Sequence, residues 1–434
     1  MKYYLLLFIF IPSIIFSQTD TTKKEIKKSG WTFGAVPAIA YDTDLGFKYG
    51  GLINLYNYGN GKDYPKYHHS IYLEWSRTTK GSGINQIKYD SEYLIPKTRL
   101  MFEASYLTNK AIGFYGFNGA KSNYFPVYED DSPDNTLYRS RLYYRYDRRF
   151  ARIKLDIQHK FFIKNMRYMF GFAYYNVKIA SIDTTKLNSN LDDDKKLPPV
   201  NGLYDNYIEW GAIKQDQKNG GIANLIKLGL IYDTRDKEAN PMHGIWSEIL
   251  LISSNKFLGS SYSFAKLAIT HRQYFTIKKD ILSFAYRLSY QPKIYGEIPF
   301  YMLPFVFNTD ITRDGLGGAR TIRGILLNRI ISDDFAYGNF EFRWKILQTI
   351  IKKQNVYFAL NPFVDLGTTT SEYKFDKSKI PATEISNNEN LHISYGMGLK
   401  IALNQNFVVS VDYGMAKSAN DGKSGLYITI GYLY

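Results

Sequence analysis

Arg323 is the residue whose neighbours along the chain most clearly suggest a specific interaction. It lies at the end of a glycine-rich segment, residues 315–324, and two carboxylates follow it at Glu341 and Asp365. A guanidinium presents a planar fork of donors that matches carboxylate oxygens in charge-assisted hydrogen bonds. The plainer alternative is a surface turn with a solvated charge. Which alternative holds depends on whether the two carboxylates face Arg323.

The segments that carry the two carboxylates have the alternation of β-strands. In residues 340–346 the apolar positions are Phe340, Phe342, Trp344 and Ile346, and the charged positions are Glu341, Arg343 and Lys345. In residues 356–366 the positions that share a face with Asp365 are Tyr357, Ala359, Asn361 and Phe363. Successive side chains of a strand point to opposite faces, so we expect Glu341 and Asp365 to point inward from neighbouring strands. An apolar outer face with a charged inner face is typical of a strand between lipid and an aqueous lumen.

Composition favours a membrane barrel and argues against several other classes. The chain of 434 residues has 17% aromatic residues, including 39 Tyr, and tyrosine concentrates at membrane–water boundaries. It has no cysteine, so we expect neither disulfides nor a lipidated N-terminus. The formal net charge of +15 fits either basic side chains that are solvated in turns and lumen, or attraction to anionic lipid headgroups and lipopolysaccharide. Nucleic acid is not an expected partner, because the basic residues are spread along alternating strands.

The chain divides into three parts. Residues 1–18 carry one early Lys and a short apolar run that ends near Ser17, which predicts a secretory signal peptide. Residues 19–30 predict a short polar periplasmic leader. Residues 31–434 predict one all-β domain, a 16-stranded antiparallel transmembrane β-barrel with almost no helical periodicity. Within it we expect a first strand over residues 34–42, a long sixth strand over 138–162 and a last strand over 426–434.

Loop lengths favour the barrel over a soluble sandwich. The connections that leave even-numbered strands are mostly short, whereas those that leave odd-numbered strands include every long one: residues 109–135, 183–220, 292–334 and 368–390. Short turns on one side and long loops on the other are typical of an outer-membrane barrel with both termini in the periplasm. We expect this location, in a Gram-negative bacterium.

Four short motifs resemble those of the BamA/TamA (bacterial surface antigen) superfamily. Residues 322–325 behind two glycines resemble its (V/I)-R-G-(F/Y) signature, residues 339–342 its N-x-E motif, and residues 363–367 its F-x-D-x-G motif. Residues 232–244 resemble its D-x-R-D periplasmic turn, although Met242 and His243 replace the usual small residues, and Ile325 stands where an aromatic residue is usual. The leader leaves no room for a POTRA domain, so the chain resembles a barrel-only form.

The resemblance implies roles for individual residues. Arg323, with Gly324, would anchor a lumen-folded loop to Glu341 and Asp365. The turn motif would be carried by four residues: Asp233, Arg235, Asp236 and Gly244. No catalytic residue, metal or cofactor is implied, because no nucleophile, phosphate loop or metal-ligand spacing is evident.

The resemblance also implies a function. We expect a non-enzymatic outer-membrane barrel that assists insertion or translocation of protein or lipid, acting through a weak seam between its first and last strands. Unfolded outer-membrane proteins or lipids would be substrates, and periplasmic accessory proteins would be partners. The alternatives are a passive channel plugged by the same loop, and a barrel lipase.

Overall fold

The computed structural model describes most of the chain. The described residues are 27–42, 46–64, 66–189, 191–238, 240–309, 313–351, 354–403 and 407–434. The expected signal peptide and residues 19–26 of the expected leader lie outside them.

Sixteen antiparallel strands close into one barrel, as the alternation predicted. The strands are β1 (Trp31–Pro37 and Ala40–Asp42), β2 (Gly46–Asn57), β3 (His69–Thr78), β4 (Gly83–Ile95), β5 (Thr98–Gly113), β6 (Arg145–Lys160), β7 (Met166–Ala180), β8 (Gly220–Asp233), β9 (Gly244–Ser254), β10 (Phe264–Lys278), β11 (Leu282–Gln291, extended by Lys293–Gly296), β12 (Asp334–Ile351), β13 (Gln354–Ser371), β14 (His392–Leu403), β15 (Phe407–Ala416) and β16 (Ser424–Ile430).

Alternation along the strands separates the outer wall from the lumen. On β12, Phe342 and Trp344 are exposed on the outside, whereas Glu341 and Arg343 are buried inside. The alternation stops after Ile346, where a register shift against β13 leaves both Ile346 and Leu347 exposed. The polar inner face and apolar outer face confirm the assignment to a membrane barrel rather than a sandwich.

Connections of different length are sorted to the two ends of the barrel. We call one the short-turn end and the other the long-loop end, which carries the connections 114–144, 181–219, 297–333 and 372–391. Two short helices, α1 (Thr184–Asn188) and α2 (Leu203–Glu209), lie in the connection between β7 and β8. In the part of the chain that the structure describes, no helix is long and apolar enough to cross a membrane.

Residues 138–144 do not belong to the sixth strand, contrary to expectation. Strand β6 begins at Arg145. Tyr143 and Tyr144 are consecutive and both fully buried, which breaks the two-residue period of a strand. They join an aromatic cap formed by the loops 114–144, 181–219 and 372–391, which we call the cap loops. Tertiary packing of tyrosine on tyrosine therefore overrides the local strand preference.

The last strand also ends earlier than expected. Strand β16 stops at Ile430, and Gly431 takes a left-handed φ of 85°. Residues 431–434, which we call the tail, then turn into the lumen, where Tyr432, Leu433 and Tyr434 are buried. The expected continuation of the last strand to Tyr434 is wrong, because glycine at 431 permits a turn that other residues resist.

Strand β1 begins at Trp31, earlier than expected, and is interrupted at Ala38 and Ile39 without loss of register against β2. Among the described residues, its pairing with β16 consists of Tyr41 opposite Ile428 and Asp42 opposite Tyr427. We call this pairing the seam. The segment Trp31–Pro37 is paired on one side by β2 and has no described strand on its other side.

Candidate functional site

The connection 297–333 folds into the barrel rather than away from it, and we call it the lumen loop. Two barrel strands bind this loop. Arg148 of β6 donates from Nη1 and Nη2 to the two carboxylate oxygens of Asp314 at 2.8 and 2.9 Å. Gln291 at the end of β11 exchanges two hydrogen bonds with the main chain of Phe307, at 2.7 and 3.1 Å. The loop therefore occupies a fixed position inside the lumen.

Arg323 of the lumen loop reaches both carboxylates that the sequence pointed to. Its Nε and Nη2 donate to Oδ2 and Oδ1 of Asp365 at 2.9 and 3.0 Å, and its main-chain N–H donates to Oδ2 at 3.0 Å. Its Nη1 donates to Oε2 of Glu341 at 3.2 Å. The guanidinium carbon lies 3.5 Å from the ring centroid of Phe363. This geometry excludes the alternative of a solvated charge in a surface turn.

Three further charged residues complete the site. Asp412 of β15 accepts from Arg323 Nη1 at 3.4 Å and from Lys400 of β14 at 2.7 Å through each carboxylate oxygen. Arg343 of β12 donates to Glu341 at 2.8 Å. The cluster thus holds three cations and three carboxylates, so its formal charge balances. This balance matters because an uncompensated buried charge is strongly destabilising.

Sequence reasoning did not assign Arg343, Lys400 or Asp412 to the site. Each lies on the polar face of its strand, which is the signal that places it in the lumen. Register then decides contact: Lys400 and Asp412 lie on adjacent strands, with Gly398 directly opposite Asp412. Alternation predicts the face of a residue, but only strand register predicts its neighbours.

Asn339 provides a neutral support beside the cluster. Its amide donates to the main-chain oxygen of Thr321 at 2.7 Å and accepts from Arg287 Nε at 2.8 Å. The N-x-E motif therefore places two side chains on one face of β12. Asn339 binds the main chain of the lumen loop, and Glu341 binds the side chain of Arg323.

Gly324 allows the lumen loop to lie directly on the wall. Its φ is 90°, and a Cβ there would lie 2.5 Å from the carbonyl carbon of Gly414 on β15. Its N–H donates to the hydroxyl of Tyr427 at 3.1 Å. Tyr427 lies opposite Asp42 in the seam. Gly324, the residue that follows Arg323, therefore contacts β16, the strand that closes the barrel against β1.

Comparison with known proteins agrees with this geometry. Residues 98–433 match the Omp85 superfamily domain. The chain belongs to the Omp85 superfamily. The resemblance to BamA/TamA barrels is thereby confirmed, and membership implies the outer membrane of a Gram-negative bacterium.

Two solved structures share the fold of this Omp85 barrel. One is BamA from Haemophilus ducreyi lacking POTRA domains 1–3, with 15% identity, a TM-score of 0.55, and coverage of 93% of this chain and 71% of that chain. The other is CdiB from Escherichia coli, with 10% identity, a TM-score of 0.57, and coverage of 94% of this chain and 64% of that chain. The chain therefore spans about two thirds of the length of these two structures. A search of curated proteins found no match.

The expected turn motif of the Omp85 barrel lies between β8 and β9 at the short-turn end. Arg235 donates from Nε and Nη2 to Asp233 at 3.0 and 3.2 Å and stacks on Trp246, with 4.2 Å between the guanidinium carbon and the ring centroid. Asp236 Oδ1 accepts from the main-chain N–H of Met242 and of His243 at 3.0 and 3.2 Å. The two aspartates thus fix the two ends of one turn.

Gly244 ends that turn and begins β9. Its φ is 105°, and a Cβ there would lie 2.3 Å from the main-chain oxygen of Thr234. Only glycine fits this position without displacing the opposite strand. The four motif residues shape the turn, and the turn meets the Arg323 cluster at Pro241, whose main-chain oxygen accepts from Arg343 Nη1 at 3.4 Å.

The tail of the Omp85 barrel packs against the same cluster from the short-turn end. Arg343 Nη2 donates to the main-chain oxygen of Tyr434 at 2.8 Å, and the Tyr434 hydroxyl donates to the main-chain oxygens of Ala285 and Asn339 at 3.0 and 3.3 Å. Arg343 thus binds both Glu341 and the tail. Sequence reasoning missed this contact because an alternating pattern continues through residue 434.

The described residues contain no group of three or more His, Cys, Asp or Glu that could hold a metal ion. The lumen cluster is saturated by its own counter-charges. Its arrangement is suited to fixing a loop, and it leaves no carboxylate positioned as a free ligand.

Proposed function

We propose that this Omp85 barrel assists the insertion or translocation of protein or lipid at the outer membrane, without covalent chemistry. In the proposed orientation, both termini and the short turns face the periplasm and the cap loops face outward. Substrates would be unfolded outer-membrane proteins or lipids, delivered by periplasmic accessory proteins.

The observation that carries the proposal is the seam. Most neighbouring strands of the barrel pair along their length, whereas the described pairing of β1 with β16 is limited to Tyr41 with Ile428 and Asp42 with Tyr427. Unpaired main-chain groups in lipid cost several kcal/mol each, so the free side of Trp31–Pro37 favours capture of another strand. An incoming strand would satisfy this edge by β-augmentation.

The tail supports the same mechanism. If the register of the seam continued, Tyr432 and Tyr434 would lie beside Pro37 and Ala35, on the free side of β1. Instead Arg343 and the main chain of β11 and β12 hold the tail in the lumen. The free side of β1, where a substrate strand would pair, is therefore left open because the tail lies in the lumen.

The anchored lumen loop connects the cluster to the seam. Arg323 is fixed by Asp365 and Glu341, and the next residue donates to Tyr427 on β16. A movement of β16 must therefore stretch or break a contact of the lumen loop. This link supports a gated barrel over a rigid scaffold.

A reversible crosslink across the seam tests the proposal. The chain has no cysteine, so Tyr41→Cys with Ile428→Cys introduces a single pair. We expect the oxidised variant, reconstituted in liposomes, to lose catalysed folding of an unfolded outer-membrane protein, and reduction to restore it. The matched control is Leu230→Cys with Ile249→Cys, opposite residues in the continuous pairing of β8 and β9. Equal activity of the oxidised and reduced seam variant would contradict the proposal.

Conductance in planar bilayers separates the gated barrel from a passive channel. The cap loops and the lumen loop fill the barrel with buried side chains. We expect small, intermittent currents from the wild type that change when Arg323 is replaced by alanine. A large steady current in the wild type would favour the channel. Ester hydrolysis by the purified protein would favour the lipase.

A further inference from the structure

The outer wall of the barrel carries a row of basic side chains at its long-loop end. Arg77 on β3, Arg149 on β6 and Lys178 on β7 lie at one level, because each strand partner in the ladder is directly opposite the next. The positions between them are Gly83 and Thr108. All three basic side chains point outward, away from the lumen. We call them the basic row.

Gly83 leaves room for Arg77 to lie along the sheet. A Cβ at Gly83 would lie 2.8 Å from Arg77 Cδ, 2.9 Å from its Nη1 and 3.0 Å from Thr108 Oγ1. The guanidinium therefore crosses over β4 toward β5 and the rest of the row. This close approach extends the positive surface across the gap that Gly83 and Thr108 would otherwise leave.

The basic row is short of counter-charge. Arg77 donates to the main-chain oxygen of Ser76 at 2.7 Å and to the amide oxygen of Asn85 at 3.3 Å, but to no described carboxylate. Arg149 has Asp147 at 3.9 Å, and that carboxylate also accepts from Lys110 at 3.2 Å.

Lys178 lies directly opposite Arg149, and its side chain makes no hydrogen bond within the described residues. Like charges at opposite positions of a ladder destabilise it. An anion bound between them would remove that repulsion.

The row lies at the height of a membrane interface. One pleat nearer the barrel middle, the outward residues include Trp75 and Tyr106, which are 53% and 45% exposed. Tryptophan and tyrosine concentrate at the boundary between acyl chains and headgroups. Below them the outward side chains Ile87, Ile153 and Phe172 are exposed. Headgroup phosphates would therefore meet the row while acyl chains cover the apolar wall.

The opposite wall does not repeat this arrangement. Near the long-loop ends of β9, β11, β13 and β15, the outward residues are Ser253, Tyr290, Thr368 and Met415. These four positions are uncharged, in contrast to the basic positions on β3, β6 and β7. A general attraction to anionic membranes would not require such an asymmetry.

We propose that the basic row binds the phosphorylated sugar headgroup of a glycolipid of the outer leaflet, of the lipid A type. The row spans four strand spacings, roughly 19 Å, so one phosphate cannot reach both Arg77 and Lys178. A phosphorylated disaccharide, with a phosphate at each end, matches that span better than a phospholipid with one phosphate. The proposal rests on the orientation proposed above, which places the long-loop end in the outer leaflet.

Binding of purified lipid A to the detergent-purified barrel, measured by native mass spectrometry, tests the site. The variant is Arg77→Gln, Arg149→Gln, Lys178→Gln. Because each basic side chain near a headgroup contributes about a fivefold affinity, we expect a loss of roughly 100-fold. The matched control removes three lysines from other external loops: Lys195→Gln, Lys196→Gln, Lys377→Gln. We expect the control to bind as the wild type does.

Three results would overturn the proposal: unchanged affinity of the row variant, equal losses in the row and control variants, or equal binding of dephosphorylated lipid A. Equal binding of phosphatidylglycerol would overturn the choice of glycolipid. If the triple variant fails to fold, Lys178→Gln alone suffices, because it breaks no described hydrogen bond, and a fivefold loss is expected.

The binding assay needs no substrate strand, so it separates this site from the proposed insertion function. Loss of insertion activity in the seam-locked barrel leaves the result unaffected. Orientation is measured independently by labelling Lys195→Cys on intact cells. Labelling from the periplasm alone would overturn the assignment to the outer leaflet while leaving the detergent measurement interpretable as anion binding.

Discussion

Arg323 and Asp365 are joined by three hydrogen bonds in a fully buried site, two from the guanidinium and one from the main chain of Arg323. The two residues come from the lumen loop and from β13, so their contact decides where the loop lies. Both side chains are inaccessible to solvent. The pair is consequently held without screening by water, and its loss would leave Asp365 as an uncompensated buried charge.

Replacing Arg323 by alanine should destabilise the barrel by about 3–5 kcal/mol, the range for removing one partner of a buried ion pair. Arg323→Lys should recover only part of this, because an ammonium cannot donate bidentately to Asp365. Urea unfolding in lipid vesicles measures the change. Arg141→Ala, at an exposed loop position, is the control and should stay within about 0.5 kcal/mol. A loss for Arg323→Ala no larger than that of the control would contradict the role of the anchor.

Gly324→Ala should be more harmful than its backbone angle alone implies. An alanine at positive φ costs roughly 1–2 kcal/mol, and here its Cβ would also overlap the main chain of Gly414. Gly211→Ala is a matched control, because Gly211 also has a positive φ of 81° but has nothing within 4 Å of its Cβ position. The difference in unfolding free energy between the two variants measures the overlap. Equal losses would indicate that the lumen loop does not press on β15.

Gly431→Val should move the tail out of the lumen. Gly431 has nothing near its Cβ position, so the substitution acts through backbone strain alone, which is severe for a β-branched residue at positive φ. The tail would then extend β16 along β1. Hydrogen–deuterium exchange should show greater protection within residues 35–38, which the continued register places opposite the tail, and catalysed folding should slow. Unchanged exchange in this segment would show that the tail does not compete for the edge of β1.

Glu384 should make the cap pH-dependent. Burial raises the pKa of this carboxyl, and Arg139 offsets the shift only partly. A raised folded pKa means that Glu384 contributes its stability below the unfolded pKa of about 4.3, and that this contribution is lost as pH rises through the folded value.

Exchange of cap residues 123–144, corrected for intrinsic rates, should therefore be faster at pH 8 than at pH 4. Glu384→Gln should reduce this dependence, whereas Glu372→Gln, at an accessible cap-loop carboxylate, should not. The same pH dependence in the Glu384→Gln variant would assign the effect to another group.

The sequence by itself determined the fold class and the faces of the strands. Two-residue alternation on β12 to β15 fixes which side chains meet lipid and which meet the lumen, because the period of a strand leaves no intermediate choice. Glycine, arginine and carboxylate positions, together with the resemblance to the BamA/TamA superfamily, then pointed to a contact of Arg323 with Glu341 and Asp365. Loop lengths predicted which end of the barrel would carry the cap loops.

Only the tertiary structure decided what fills and closes the barrel. The contacts of Arg323 with Asp412 and of Arg343 with Tyr434 depend on strand register and on long-range approach, which local periodicity does not encode. Tyr143 and Tyr144 directly precede β6 but pack into the cap, and residues 432–434 continue an alternating pattern but enter the lumen. In both cases burial of aromatic surface, against distant loops for the tyrosine pair and against distant strands for the tail, outweighs the preference for one more strand residue, and that balance exists only in the folded barrel.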